Sequence, residues 1–192
     1  MGLSVNAKAK YFGHNLLKIK SHEFSELEFD LNRNYVTEFL VKSIVWAKFD
    51  KVRKPIVFYI LRRIQQIVPL YIESRNSFIN FVDSGDYPID LYLDALNKIE
   101  IIVTYLYQIY NVYINLSGIK LFIKNDGSFH DRLNRCYNNI KHLDLNNLPL
   151  GLLQSTYLES NKFCTSSSYV TFQELNDFIR ELEQFADKLL KE

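Results

Sequence analysis

Arg135 and His142 are the two side chains whose types and spacing point most directly to chemistry. On a helix turning about 100° per residue, Asp131, Arg135, Asn138 and His142 fall at i, i+4, i+7 and i+11, with Asn139 beside them. One stripe would then carry a guanidinium, two amides and an imidazole. Arg135 and His142 stand two turns apart, about 10 Å along the axis, and both could lean toward one phosphate group held between them. An arginine can grip non-bridging oxygens and neutralise charge that develops in a transition state. A histidine, with a reference pKa of about 6.5, can exchange a proton near neutrality. Cleavage of an RNA backbone needs little more than this pair.

The stripe depends on a helix from Phe129 to Leu143. Asn125-Asp126-Gly127 is a strong turn signal, Ser128 can cap the helix that follows, and Pro149-Leu150-Gly151 lies beyond its end. Leu133, Tyr137 and Ile140 share the opposite side and are natural core contacts. A plainer reading stands beside the chemical one. Every surface helix has a polar side, and Asp131 with Arg135 is an ordinary i, i+4 ion pair of small stabilising value. Asparagine, however, is not a favoured helix-interior residue, and here two stand in succession.

The stretch Asp131-Arg132-Leu133-Asn134-Arg135-Cys136-Tyr137-Asn138-Asn139-Ile140-Lys141-His142 resembles the motif helix of HEPN domains, whose pattern is Arg, about four to six residues, then His. Cys136 stands where active members often carry a polar residue. The resemblance implies an all-helical bundle with the motif on a late helix, and a metal-independent endoribonuclease that pairs two motif helices across a dimer. It implies Arg135 and His142 as the catalytic pair, with Asn138, Asn139 and Lys141 contacting substrate and no cofactor. In that mechanism His142 assists attack by the ribose 2′-hydroxyl, Arg135 stabilises phosphate charge and Asn138 orients the substrate. RNA and a second copy of the chain, or another protein, are the implied partners. Toxin and phage-defence settings are common in the superfamily.

The chain around this helix reads as one domain of 192 residues, with 47% hydrophobic residues to build a core. Its formal charge of +1 provides no global field for a polyanion, so any nucleic-acid site must be a local patch. Cys136 and Cys164 form no Cys-x-x-Cys pair and lie at no metal-ligand spacing from a histidine, so neither a disulfide framework nor a metal is expected. The first twenty residues lack the continuous apolar core of a secretory signal, which suggests the cytoplasm. Ile101 to Ile119 carries no charge and is long enough to span a bilayer. Yet Thr104, Gln108, Asn111, Asn115 and Ser117, with the hydroxyls of Tyr105, Tyr107, Tyr110 and Tyr113, suit a central buried helix and not lipid.

Periodicity predicts a mainly helical bundle of about five to six helices, with a small β-hairpin before the C-terminal helix. After a lead-in over 1–30, in which Phe24, Leu27, Phe29 and Leu31 fit a partly extended chain, helical spacing runs from Tyr35 to Phe49. A second helix starts at Pro55 and bends or breaks at Pro69, with Ile72 to Val82 continuing the bundle. The turn Asp83-Ser84-Gly85-Asp86 precedes a long helix over Ile89–Leu116, ending near Ser117-Gly118. Within 154–170, Thr156-Tyr157-Leu158 and Lys162-Phe163-Cys164-Thr165 flank a Ser160-Asn161 turn. Thr171 and Glu174 then form a capping box for a helix with Leu175, Phe178, Ile179, Leu182 and Phe185 on one face.

Weaker signals remain. His22-Glu23-Phe24-Ser25-Glu26 approximates a zinc-protease motif but ends in Glu, and His14 and His130 lack a neighbouring ligand cluster. Lys51, Arg53, Lys54, Arg62 and Arg63 form a basic sector that Phe58 and Tyr59 could supplement as stacking surfaces for unpaired bases. No glycine-rich phosphate loop is present, which disfavours a nucleotide triphosphatase. The principal competing function is a non-catalytic helical interaction module, which an aromatic content of 15% would suit.

Overall fold

In the computed structural model the described residues are 4–12, 20, 24–27, 33–44, 51–142 and 153–191. Among them the chain is mainly helical. The order is α1 (Val5–Phe12), α2 (Tyr35–Ile44), α3 (Arg53–Asp83), α4 (Ile89–Ser117), α5 (Phe129–Lys141), β1 (Thr156–Glu159), β2 (Lys162–Thr165), β3 (Tyr169–Thr171) and α6 (Phe172–Lys191). Leu143, Phe49, Phe29, Leu31, His14, His22 and Glu23 lie outside the described residues.

The hairpin of α3 and α4 is the centre of the bundle. Ile60, Ile64, Ile67 and Tyr71 on α3 are buried, as are Ala95, Ile99, Ile102 and Leu106 on α4, each set recurring every three to four residues. The buried Ser74 hydroxyl donates to the Ala95 carbonyl at 2.8 Å, which requires close approach of the two helices. The turn between them contains Gly85 at φ 71° and Tyr87 at φ 49°. Lys8 of α1 braces it by donating to the carbonyls of Asp86 and Tyr87 at 2.7 and 3.0 Å. Pro69 was expected to bend or break α3, but the helix runs through it unbroken. Proline removes one N–H from the helical ladder. Buried contacts on both sides of it, from Ile67, Val68 and Tyr71, keep the helix in place.

One face of α4 is buried and the other is not, since Ile101 is 40% exposed. No helix among the described residues is long and apolar enough to cross a membrane. Gly118 closes α4 in the left-handed region at φ 69°, donating to the Ile114 carbonyl as a C-cap should.

The expected hairpin is present and extended by a third strand. β1, β2 and β3 pair antiparallel in that order, with Tyr157 opposite Cys164 and Phe163 opposite Val170. Tyr92 of α4 anchors the sheet, its hydroxyl accepting from Leu158 N at 2.8 Å and donating to the Phe12 carbonyl at 3.0 Å. The capping box on α6 is formed on both sides. Glu174 N donates to Thr171 Oγ1 at 3.1 Å, and Thr171 N donates to Glu174 Oε2 at 3.0 Å. Phe24 stacks on Phe172 at 3.7 Å and meets Tyr71 edge-on, so the irregular segment before α2 supplies a core ring.

Candidate functional site

The turn before α5 and the helix itself form one hydrogen-bonded unit. Ser128 caps the helix, its hydroxyl accepting from Asp131 N at 3.2 Å. Asn125 and Gly127 take positive φ, 69° and 74°, which aims their N–H groups at the Asp131 carboxylate; it accepts from them at 3.0 and 3.3 Å. Arg135, one turn later, places Nη2 3.2 Å from the same carboxylate. Asp131 has no exposed surface. It was expected on an open polar stripe, but it is an internal anchor for the loop, because unpaired backbone donors at the turn need an acceptor. Leu133 and Cys136 fill the inner face of α5, and burial pushes the Cys136 thiol up to about 11.

The five expected site residues do not share one face. Arg135 is partly exposed, with 38% of its side chain open to solvent, but its Nε is buried and has no hydrogen-bond partner. Asn138 is exposed and donates weakly to Asn134 Oδ1 at 3.3 Å, while Lys141 is exposed at the last helical position. Asn139 faces away from them. Its Nδ2 donates to Thr165 Oγ1 at 2.7 Å and Ser167 Oγ at 2.8 Å, joining α5 to the end of β2 and the turn that follows.

His142 does not continue the helical stripe. It is the C-cap, donating its N–H to the Asn138 carbonyl at 2.9 Å, with extended backbone at φ −118° and ψ 92°. The wheel placed it at i+11 on an ideal helix, whereas α5 stops one residue earlier. Its exposed side chain therefore leaves the end of the helix on a backbone that has changed direction. No hydrogen bond joins Arg135 to His142; a phosphate held by both would have to bridge them.

Other candidates are engaged in packing. His130 lies against Tyr110, Phe129 and Phe178, and burial lowers its pKa against the opposing charges of Glu181 and Asp126. Among the described residues no group of three His, Cys, Asp or Glu could hold a metal ion. In the basic sector, Lys54 donates to the Ser43 carbonyl, and Arg63 lies over the rings of Tyr105 and Tyr59 at 4.1 and 5.3 Å. Tyr59 in turn donates to Gln108, and Phe58 packs on Phe39. Its aromatic faces already have occupants, and Arg62 is left exposed beside a groove.

Sequence reasoning overlooked Arg132. This residue bridges α5 to the cap of α6 through Glu174, donates to the Gly127 carbonyl at 2.7 Å and lies over the Tyr169 ring. The capping box had identified Glu174, but nothing in the local pattern of α5 distinguishes a cation reaching another element from a solvated one. Compared with known proteins, the chain matches no family model, no curated protein and no solved structure.

Proposed function

We propose that the exposed face of α5 binds RNA and that Arg135 and His142 act on it as a metal-independent endoribonuclease pair, in a HEPN-like protein that works as a homodimer. The observation that carries this reading is the fixed presentation of Arg135. A guanidinium held at one edge by a buried carboxylate, with 38% of its side chain still open to solvent, presents that open part in a set orientation, which suits a phosphate better than a freely rotating side chain does. His142 would take the proton of a ribose 2′-hydroxyl as that oxygen attacks the adjacent phosphorus. The bond to the 5′-oxygen breaks, that oxygen takes up a proton from water, and a 2′,3′-cyclic phosphate remains. Arg135 would neutralise charge on the non-bridging oxygens, and Asn138 and Lys141 would hold the neighbouring nucleotides. A toxin or defence setting agrees with this chemistry.

The test is cleavage of a single-stranded RNA by the purified protein in excess chelator, with Arg135→Ala and His142→Ala as comparisons. Loss of cleavage in both variants supports the pair, and unchanged rates reject it. A second reading, a non-catalytic interaction module, is favoured by the internal engagement of Asn139 and of one edge of Arg135. On that reading the same substitutions alter self-association or partner binding, while RNA is neither bound nor cut.

A further inference from the structure

The loop joining α4 to α5 carries apolar side chains that the core does not use. Ile119 is 56% exposed and Ile123 79% exposed, and the loop holds Lys120 and Lys124 among them. Between this loop and the last turns of α4 lies a groove of about 640 Å³. Tyr107, Tyr110 and Asn111 form its helix side, and Lys120, Phe122 and Lys124 its loop side, with the carboxylate of Asp126 also on the loop side. Tyr110, itself buried, meets the Phe122 ring at 5.4 Å and the Tyr107 ring at 6.0 Å, and Tyr137 covers one face of Tyr107, so the half-buried Tyr107 and Phe122 are the rings that border the groove. Both lysines are exposed and neither pairs with a carboxylate among the described residues.

Two aspartates hold the loop backbone by hydrogen bonds. Asp126 accepts from Ile123 N and Ser128 N, both at 2.8 Å, which turns its carboxylate toward the loop backbone, and Asp131 accepts from Asn125 N and Gly127 N. A preformed site avoids the entropy of ordering on binding. Aromatic rings flanked by two exposed lysines suit one chemistry above others: bases stack on the rings irrespective of their identity, and lysines neutralise the phosphates on either side. An aliphatic peptide would meet the rings but leave both cations unanswered. The groove also adjoins α5, since Tyr107 stacks on Tyr137 at 4.0 Å and Tyr137 lies one turn before Lys141.

We propose that this groove binds an unpaired base of single-stranded RNA, with Tyr107 and Phe122 as stacking surfaces, Asn111 at the base edge and Lys120 and Lys124 on the flanking phosphates. The choice of RNA rests on the reading of the α5 face given above. The experiment measures binding of a fluorescein-labelled oligo(A) ribonucleotide by anisotropy across a salt series. It compares the wild type with Phe122→Leu, with Lys120→Gln/Lys124→Gln and with Arg135→Ala/His142→Ala. Phe122→Leu keeps an apolar side chain while removing the ring, and is expected to weaken binding about fivefold or more. The double lysine variant, altered only at exposed positions, is expected to lower the slope of log affinity against log salt by about 1.4.

If both loop variants bind like the wild type while the Arg135/His142 variant is impaired, the groove is not the site and the α5 reading stands. If the loop variants are impaired and the Arg135/His142 variant cleaves and binds normally, the groove stands and the catalytic reading fails. Absence of binding by the wild type overturns both. If the lysine substitutions spare oligo(A) binding and instead release the protein from phosphatidylserine vesicles, the occupant is a membrane surface and the proposal is wrong.

Discussion

Arg135 places Nη2 3.2 Å from Oδ2 of Asp131, and that carboxylate has no exposed surface. The pair therefore differs from an exposed i, i+4 ion pair, because one partner is a buried anion that also accepts two backbone N–H groups of the preceding loop. Removing Asp131 leaves two turn donors and a guanidinium without their acceptor, whereas removing Arg135 leaves the carboxylate with its backbone bonds. Asp131→Ala should cost about 2–4 kcal/mol and Arg135→Ala about 1–2 kcal/mol. Urea denaturation checks the order, and a larger loss for Arg135→Ala would show that the loop does not depend on Asp131.

The two neighbouring asparagines should separate cleanly. Asn139→Ala removes hydrogen bonds to Thr165 and Ser167 and should destabilise the fold by about 1 kcal/mol with no effect on RNA affinity. Asn138→Ala, at an exposed position, should change stability by less than about 0.5 kcal/mol and weaken RNA binding. Thermal melts and anisotropy on both variants test this. Equal effects on affinity would remove the distinction between the two faces.

Glu183 gives a pH dependence with a definite sign. Burial raises its pKa from 4.5 to about 7, assisted by the charge of Asp187 and opposed by the Tyr35 hydrogen bond and by Arg33 and Arg180. The folded state thus holds more protons than the unfolded one between 4.5 and about 7. The contribution is fully present below 4.5 and lost as pH rises through 7. Glu183→Gln should raise Tm by a few degrees above pH 7 and change it little near pH 4.5. Glu100, also raised by burial against its bond to Thr156, contributes with the same sign, and His130, lowered by burial, with the opposite sign. A variant that melts with the wild type at every pH would contradict the assignment.

The segment before α2 should matter to stability despite its irregular backbone. Phe24 is fully buried against Phe172, Tyr71 and Phe78. Phe24→Ala should cost about 3–5 kcal/mol by chemical denaturation. A loss below 1 kcal/mol would mean that the ring is not part of the core.

The readable parts of the fold were those in which one local pattern determines the outcome. Thr171 and Glu174 cap α6 reciprocally, Gly118 ends α4 in the left-handed region, and Ser128 caps α5, all as their residue types require. Pro69 does not break α3 because its local cost is set against long-range burial on both sides, which periodicity does not weigh. β3 was hidden because a strand of three residues, Tyr169–Thr171, has too short a pattern to register. At the site, the wheel placed Arg135 and Asn138 on an accessible face, as found. It placed Asp131 and Asn139 beside them because a wheel does not know which polar group a loop or sheet will claim. His142 departed from the stripe because α5 ends before it, and the aromatic groove was missed because its two sides come from different elements.

The central claim is that Arg135 and His142 cut RNA without a metal, and the most direct measurement is cleavage of a single-stranded oligoribonucleotide in excess chelator by wild type, Arg135→Ala and His142→Ala. The predicted result is cleavage by the wild type to fragments ending in a 2′,3′-cyclic phosphate, reduced about a hundredfold or more in each variant whose melting curve shows it folded. Wild-type protein that leaves the RNA intact, or folded variants that cleave it at the wild-type rate, would contradict the claim.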